Sequence, residues 1–340
     1  MPTVTSFTAF YPSRPFWAVS AVNFEVPRQD GWFYDQMVEE VYSVDTPEFT
    51  MKICRDGRIL LRLPQLERGD TSSPLDVDDQ VRRWGEYLDF LNAFYLLLDS
   101  AVIEIDGIHY FNLHEVTFRD SFRVRYEDGK PGGEGIRTES IASVFQLGRY
   151  SSSYRPGIPI EDDFMIMSRG VVSREALACA GSRFAKVVAS PGSEKTLAAC
   201  AKSLAEYKVG NYDTSIVLAW FVIEEGINSL WSAHIDGQSV DLPEGRKRVN
   251  RERKDFLIGR DFTASIVSNM LELVSVIDHD LFTSVDRVRG YRNAIVHRRE
   301  GTRLPGSAEA TLALMTTQKM TERLWGIPFT PNLVRTVHGL

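Results

Sequence analysis

The sequence predicts an α+β N-terminal domain, mostly antiparallel sheet with one long helix, followed by an all-α helical bundle. Three observations predict it. Apolar and polar residues alternate through much of the first 155 residues, and the period lengthens to that of helices from Ser173 onward. Between Gly148 and Pro159 the run Gly-Arg-Tyr-Ser-Ser-Ser-Tyr-Arg-Pro-Gly-Ile-Pro has loop composition and no period. The expected division is 1–155 for the α+β domain, 156–193 for a connecting segment and helix, and 194–330 for the bundle. A chain of 340 residues, 43% hydrophobic and 25% charged, has room for two buried cores and excludes a disordered, collagen-like or coiled-coil protein.

In the first part Val22, Phe24 and Val26 alternate with Asn23 and Glu25, as in a half-buried strand. Phe49, Met51 and Ile53 alternate likewise, Asp56-Gly57 supplies turn residues that tolerate positive φ, and Ile59, Leu61 and Leu63 alternate again. That is a hairpin signature. Asp106-Gly107 repeats the device between Val102 to Ile105 and Ile108 to Phe111. One helix interrupts, from about Leu75 to Leu98, opened by Asp76, Asp78 and Asp79, whose carboxylates suit a helix N-terminus. The later helical spans are Arg174 to Ala189, Glu194 to Lys208, Thr214 to Trp231, Phe262 to Ile277, Leu281 to Arg298 and Ala308 to Trp325. Short polar joints between them favour antiparallel neighbours.

The 39 Lys and Arg against 46 Asp and Glu leave a net charge of −7, so any affinity for nucleic acid must come from a local basic patch. Cys54, Cys179 and Cys200 are too few and too scattered for a disulfide framework or a thiolate metal site, and read as reduced and buried. Met1 to Ser6 lack a basic start followed by an apolar run, so no signal peptide is expected. The longest apolar stretch, Ile216 to Ile223, falls well short of the ~20 residues that span a bilayer. A cytoplasmic protein is expected.

Chemistry concentrates in Arg292-Asn293-Ala294-Ile295-Val296-His297. Stepping ~100° per residue along the helix places Leu281, Val285, Val288, Ile295 and Val296 within one apolar stripe, and Arg292 in the middle of it. A guanidinium there needs an anion or a wet cavity, because an unpaired buried charge costs several kcal/mol. His297 and Asn293 lie on one flank of the stripe, beside Arg289. A second helix, Ser215 to Trp231, is apolar in nearly all directions but is interrupted by Glu224 and Glu225, which are expected to supply the counter-charge to Arg292. On these residues alone, a structural ion pair with a surface His297 explains the pattern equally well.

With its Arg-x4-His motif, the polar Asn293 after the Arg and the glutamate-bearing Trp220 to Glu225 helix, the region from about Glu194 to Trp325 resembles a HEPN domain. Within that family it is most similar to abortive-infection, anti-phage proteins that carry a separate N-terminal domain. The resemblance implies a metal-independent endoribonuclease, without cofactor, acting on RNA as a homodimer whose two motifs face one cleft, in antiviral defence or a toxin-like role. It implies that Arg292 holds the scissile phosphate, that His297 exchanges the proton of the ribose 2′-OH or of the leaving 5′ oxygen, that Asn293 orients the imidazole or substrate, and that Glu224 or Glu225 positions Arg292. The product would be a 2′,3′-cyclic phosphate. The N-terminal domain would be the sensor or regulator. A non-catalytic HEPN-like module for dimerisation or partner binding is the alternative, and a helical nucleotide-binding or scaffold domain a third.

Arg246-Lys247-Arg248-Val249-Asn250-Arg251-Glu252-Arg253-Lys254 is a basic run in an acidic chain. Arg246, Lys247, Arg248, Arg251, Arg253 and Lys254, with Arg289, are candidate RNA contacts, although a run of this kind is more often a solvated loop. Other clusters read as structural. Asp278-His279-Asp280 does not converge on a helix, and Asp280 suits the N-cap of the motif helix. Glu161-Asp162-Asp163 reads as a solvated turn, Gly132-Gly133-Glu134-Gly135 as a turn rather than a phosphate cradle, and His109 and His114 lack the partners of a zinc site.

Overall fold

The computed structural model describes residues 4–26, 32–67, 76–135, 160–297 and 304–335. The chain divides into two compact units, Met1–Ala201 with Val334–Leu340, and Lys202–Leu333.

The first unit is built on a six-stranded sheet in the order β3-β4-β5-β1-β6-β7, where β1 is Val4–Phe10, β3 Glu40–Asp45, β4 Thr50–Cys54, β5 Ile59–Arg62, β6 Ser121–Glu127 and β7 Lys130–Glu134. Every pairing in it is antiparallel. A second, parallel pair joins β2 (Trp17–Ala18) to β8 (Val171–Val172). The β4–β5 hairpin forms at the predicted place. Gly57 takes φ +85° there, and a Cβ would stand 2.8 Å from the Phe16 ring, so the position needs glycine twice over. One sheet face buries Phe7, Ala9, Leu60, Phe122, Val124 and Tyr126.

The long helix is α3, Val77–Ala101, preceded by the short α1 (Trp32–Val38) and α2 (Pro64–Glu67). It overturns the second expected hairpin. The chain stays helical beyond Ala101 through a π-helical turn, Val102–Asp106, and Gly107 closes it at φ +69°. Burial explains this: Leu96, Leu97, Leu98, Ala101 and Val102 are all buried, and Glu104 beyond them pairs with Arg183 at 2.5 Å. Residues 22–26 likewise form no strand; the Asn23 amide instead donates to Gln36 Oε1 of α1 at 2.7 Å, while Val22 packs with Trp17, Phe33 and Met37. Gly132 and Gly133 belong to β7 rather than to a turn. Asp163 is buried, not solvated, and its carbonyl starts the short α4 (Phe164–Met167). Cys54 and Cys200 are buried, whereas Cys179 is half-exposed, and none of the three forms a disulfide.

The change of unit falls within α6 (Ser193–Lys208), later than the change of texture after residue 155. The reason is α5 (Arg174–Ala189), which packs on α3. Its buried Phe184 meets the rings of Phe49, Phe90 and Phe94 edge-on, at centroid distances of 5.2 to 6.2 Å.

The second unit is helical. Its axis is α7, Tyr212–Gly237, against which α9 (Ala264–Leu273), α10 (His279–Val296) and α11 (Ser307–Trp325) pack, with the short α8 (Arg251–Leu257) beside them. These are the expected spans, with α7 longer because buried Ile235 extends the stripe past Trp231, and α9 shorter because Ser275 turns out at φ +58°. By length and composition α7 is the one helix among the described residues that reaches a membrane span, with a mean hydropathy of 1.2; 44% of that window is buried within the protein.

Candidate functional site

The motif helix α10 is opened by Asp278, whose side chain accepts from the Leu281 amide at 2.7 Å. The cap is therefore Asp278 rather than Asp280, which lies in the first turn. Leu281, Val285 and Val288 form its buried stripe. Arg292, seven residues after Val285 and four after Val288, continues the same line and is half-buried, as is Ile295. Val296, expected in the stripe, is 51% exposed. The cover given by neighbouring helices runs out over the last turn.

The Arg292 guanidinium donates from Nη1 to Asn293 Oδ1 at 3.1 Å. No carboxylate of the described residues pairs with it. His297 is exposed and stands just past the helix rather than inside it, with φ −103° and ψ 39°; its amide still donates to the Asn293 carbonyl at 2.9 Å. Asn293 thus touches both: its side chain holds the arginine and its backbone holds the start of the histidine's turn.

Glu224 and Glu225 are not the counter-charge. Half-buried and exposed respectively, they line a groove of about 760 Å³ with Phe221, Asn228, Arg260 and Phe262. That groove is closed by the α8–α9 junction and the start of α9, and no residue of α10 borders it. The glutamates face one neighbour of α7, and the arginine sits on another. Arg289, placed beside the motif, is engaged with Asp286 at 2.5 Å.

The basic run divides in two. Arg246, Lys247 and Arg248 are exposed in a turn pinned by an antiparallel bridge between Asp241 and Lys247 and anchored by buried Val249. Arg251, Arg253 and Lys254 lie on α8, capped by Asn250, whose side chain accepts from the Arg253 amide at 2.8 Å. Part of the run is therefore helix, not loop. Lys254 is tied to Asp236 at 2.7 Å, and Arg253 donates to the Arg248 carbonyl at 3.0 Å. Exposed guanidinium and ammonium groups remain at Lys247, Arg248 and Arg251, the last 3.9 Å from Asp255.

Among the described residues no three His, Cys, Asp or Glu side chains converge as a metal site would require. Sequence reasoning singled out nothing chemical in the first unit. There the structure gathers Arg83, Trp84, Arg123 and Arg125 around one groove; the signal was present as the alternation Arg123-Val124-Arg125-Tyr126 in a strand. No family model, curated protein or solved structure matches this chain.

Proposed function

We propose that the protein is a metal-independent endoribonuclease of the HEPN type, acting in the cytoplasm as a homodimer, with a role in anti-phage defence or as a toxin. The observation that carries this reading is Arg292: a half-buried cation on the apolar line of its helix, partnered by the neutral Asn293 and by no carboxylate of the described residues, with an exposed imidazole five positions on. A guanidinium held this way is free to take phosphate oxygens, whose geometry its planar fork matches.

The reaction follows from these groups. The ribose 2′ oxygen attacks the adjacent phosphorus and the bond from phosphorus to the 5′ oxygen breaks, leaving a 2′,3′-cyclic phosphate. One neutral imidazole takes the 2′-OH proton, and a protonated one gives a proton to the departing 5′ oxygen. Each chain has a single His297, so a twofold pair of motifs supplies both roles. Arg292 stabilises the charge that grows on the phosphorane oxygens, Asn293 fixes Arg292, and the exposed Lys247, Arg248 and Arg251 attract the RNA backbone.

Exposed Phe221 on α7 and Val296 on α10 favour pairing of copies, and a second reading, in which the bundle only dimerises or binds a partner, rests on them as well. Incubating RNA with the protein in EDTA separates the two. The nuclease reading expects cyclic-phosphate ends, and a loss of about 100-fold or more for Arg292→Ala and for His297→Ala. Cleavage by either variant at the wild-type rate leaves only the binding module.

A further inference from the structure

We propose that the first unit binds a nucleoside polyphosphate in the groove between the start of α3 and the sheet. This does not rest on the ribonuclease reading. The groove encloses about 1030 Å³, at the upper end of small-molecule sites and far more than an inorganic anion fills. One wall is a single face of α3, formed by Gln80, Arg83, Trp84 and Tyr87 at spacings of three and four. The floor is Val4, Thr5 and Ser6 of β1 with Arg123 and Arg125 of β6. The β1–β6 register sets Thr8 opposite Arg123 and Ser6 opposite Arg125. Because Arg123 and Arg125 alternate with buried Val124 and Tyr126, both project on the face away from the Phe7, Leu60 and Phe122 cluster.

Charge is what marks this groove as a site. Its two carboxylates are already engaged, Glu67 with Arg62 at 3.0 Å and Glu134 with the almost fully buried Arg58. Arg83, Arg123 and Arg125 have no carboxylate partner among the described residues, so three cations line one concavity in a protein of net charge −7. Arg123 is not loose. Its guanidinium lies 4.8 Å from the centre of the Trp84 ring and 5.1 Å from that of Tyr87. Trp84 is fixed in turn by its indole N–H, which donates to Ser121 Oγ at 3.0 Å, and by the Phe118 ring at 5.2 Å.

A guanidinium plane clamped on aromatic rings is a stacking platform for one base. Arg83 from the wall and Arg125 from the floor then reach the phosphates. A nucleic-acid strand is the poorer occupant, because strand-binding grooves repeat their aromatic platforms along the backbone, and among the described residues this groove offers one indole and a tyrosine whose hydroxyl is engaged by the Leu63 backbone.

The test is calorimetric titration of the full-length protein with ATP, GTP, tripolyphosphate, adenosine and a ten-nucleotide RNA. The expected result is binding of ATP or GTP at least about tenfold tighter than of tripolyphosphate or adenosine. Arg83→Glu and Arg125→Glu change accessible side chains and should each weaken the nucleotide at least about tenfold, while Trp84→Leu should bring it down to the level of tripolyphosphate. The proposal is overturned if neither nucleotide binds, if tripolyphosphate binds as well, if the RNA displaces the nucleotide at equal concentration, or if a folded Arg125→Glu protein binds unchanged.

Discussion

Gly226 of α7 lies close against Met320 and Leu324 of α11, and substituting it tests the arrangement of the bundle that carries the motif. A Cβ at this position would lie 2.4 Å from Met320 Cγ, 2.7 Å from its Sδ and 3.2 Å from Leu324 Cδ1. Ordinary contact begins at 3.4 Å, so the Met320 stem would have to retreat by 3.4 − 2.4 = 1.0 Å. It cannot do so freely: Met320 is fully buried, and Cγ is only two bonds from the α11 backbone. Such overpacking costs about 1–3 kcal/mol, against which alanine returns about 1 kcal/mol of helix propensity. Gly226→Ala should therefore destabilise by up to about 2 kcal/mol. Met320→Ala alone opens a cavity and costs about 2–5 kcal/mol, but combined with Gly226→Ala the new methyl enters that space, and the loss should shrink by about 1–2 kcal/mol. Urea unfolding followed by tryptophan fluorescence, to which Trp220 and Trp231 contribute as buried residues of the same helix, reads all four proteins. If Gly226→Ala is stabilising by the full propensity gain, and the two changes add within about 0.5 kcal/mol, the helices do not cross there and the reasoning fails.

Removing the α10 cap by Asp278→Ala should cost about 0.5–2 kcal/mol, and Asp280→Ala less, because only the Asp278 carboxylate accepts a backbone N–H; thermal unfolding that ranks them the other way refutes the assignment. His114 of the first unit has a buried Nε2 with no hydrogen-bond partner among the described residues and a ring set 5.7 Å from that of Tyr95. Burial pushes its pKa below the ordinary histidine value, partly offset by Asp120. The unfolded chain thus binds this proton more readily than the folded one. The associated stability is present above the unfolded value of about 6.5 and is lost as pH falls through the lower folded value. His114→Phe should flatten the decline in stability between about pH 7 and pH 5, and equal declines in both proteins would show that another group is responsible.

Most of the helices were legible because their signal is local. Leu281, Val285 and Val288 repeat at helical spacing, and the same arithmetic put Arg292 on their line, where it is found half-buried. The two Asp-Gly pairs show where local signal stops. Asp56-Gly57 turns a hairpin and Asp106-Gly107 ends a helix, with Gly57 at φ +85° and Gly107 at φ +69°. Glycine serves a tight turn and a helix C-terminus by the same left-handed conformation, so the dipeptide cannot choose. The choice was made by buried Leu96, Leu97, Leu98, Ala101 and Val102, which kept the chain helical up to the second pair.

The counter-charge failed for a related reason. A wheel gives the direction of Glu224 and Glu225 on α7, but the neighbour that covers that direction depends on the order of α9, α10 and α11 around it, which no single helix encodes. The α8–α9 junction took the place, and Arg292 was left with Asn293. This outcome changes what the motif needs. Had a glutamate paired with Arg292, the cation would have been neutralised within its own chain, and phosphate would have had to displace a carboxylate to reach it. With an amide as its partner the guanidinium keeps its charge and still has a fixed direction, so an incoming phosphate gains the full interaction with little reordering of the side chain. The polar residue that follows the arginine then has a physical task of its own, and Asn293→Ala should impair RNA cleavage by loosening Arg292 while leaving that charge in place.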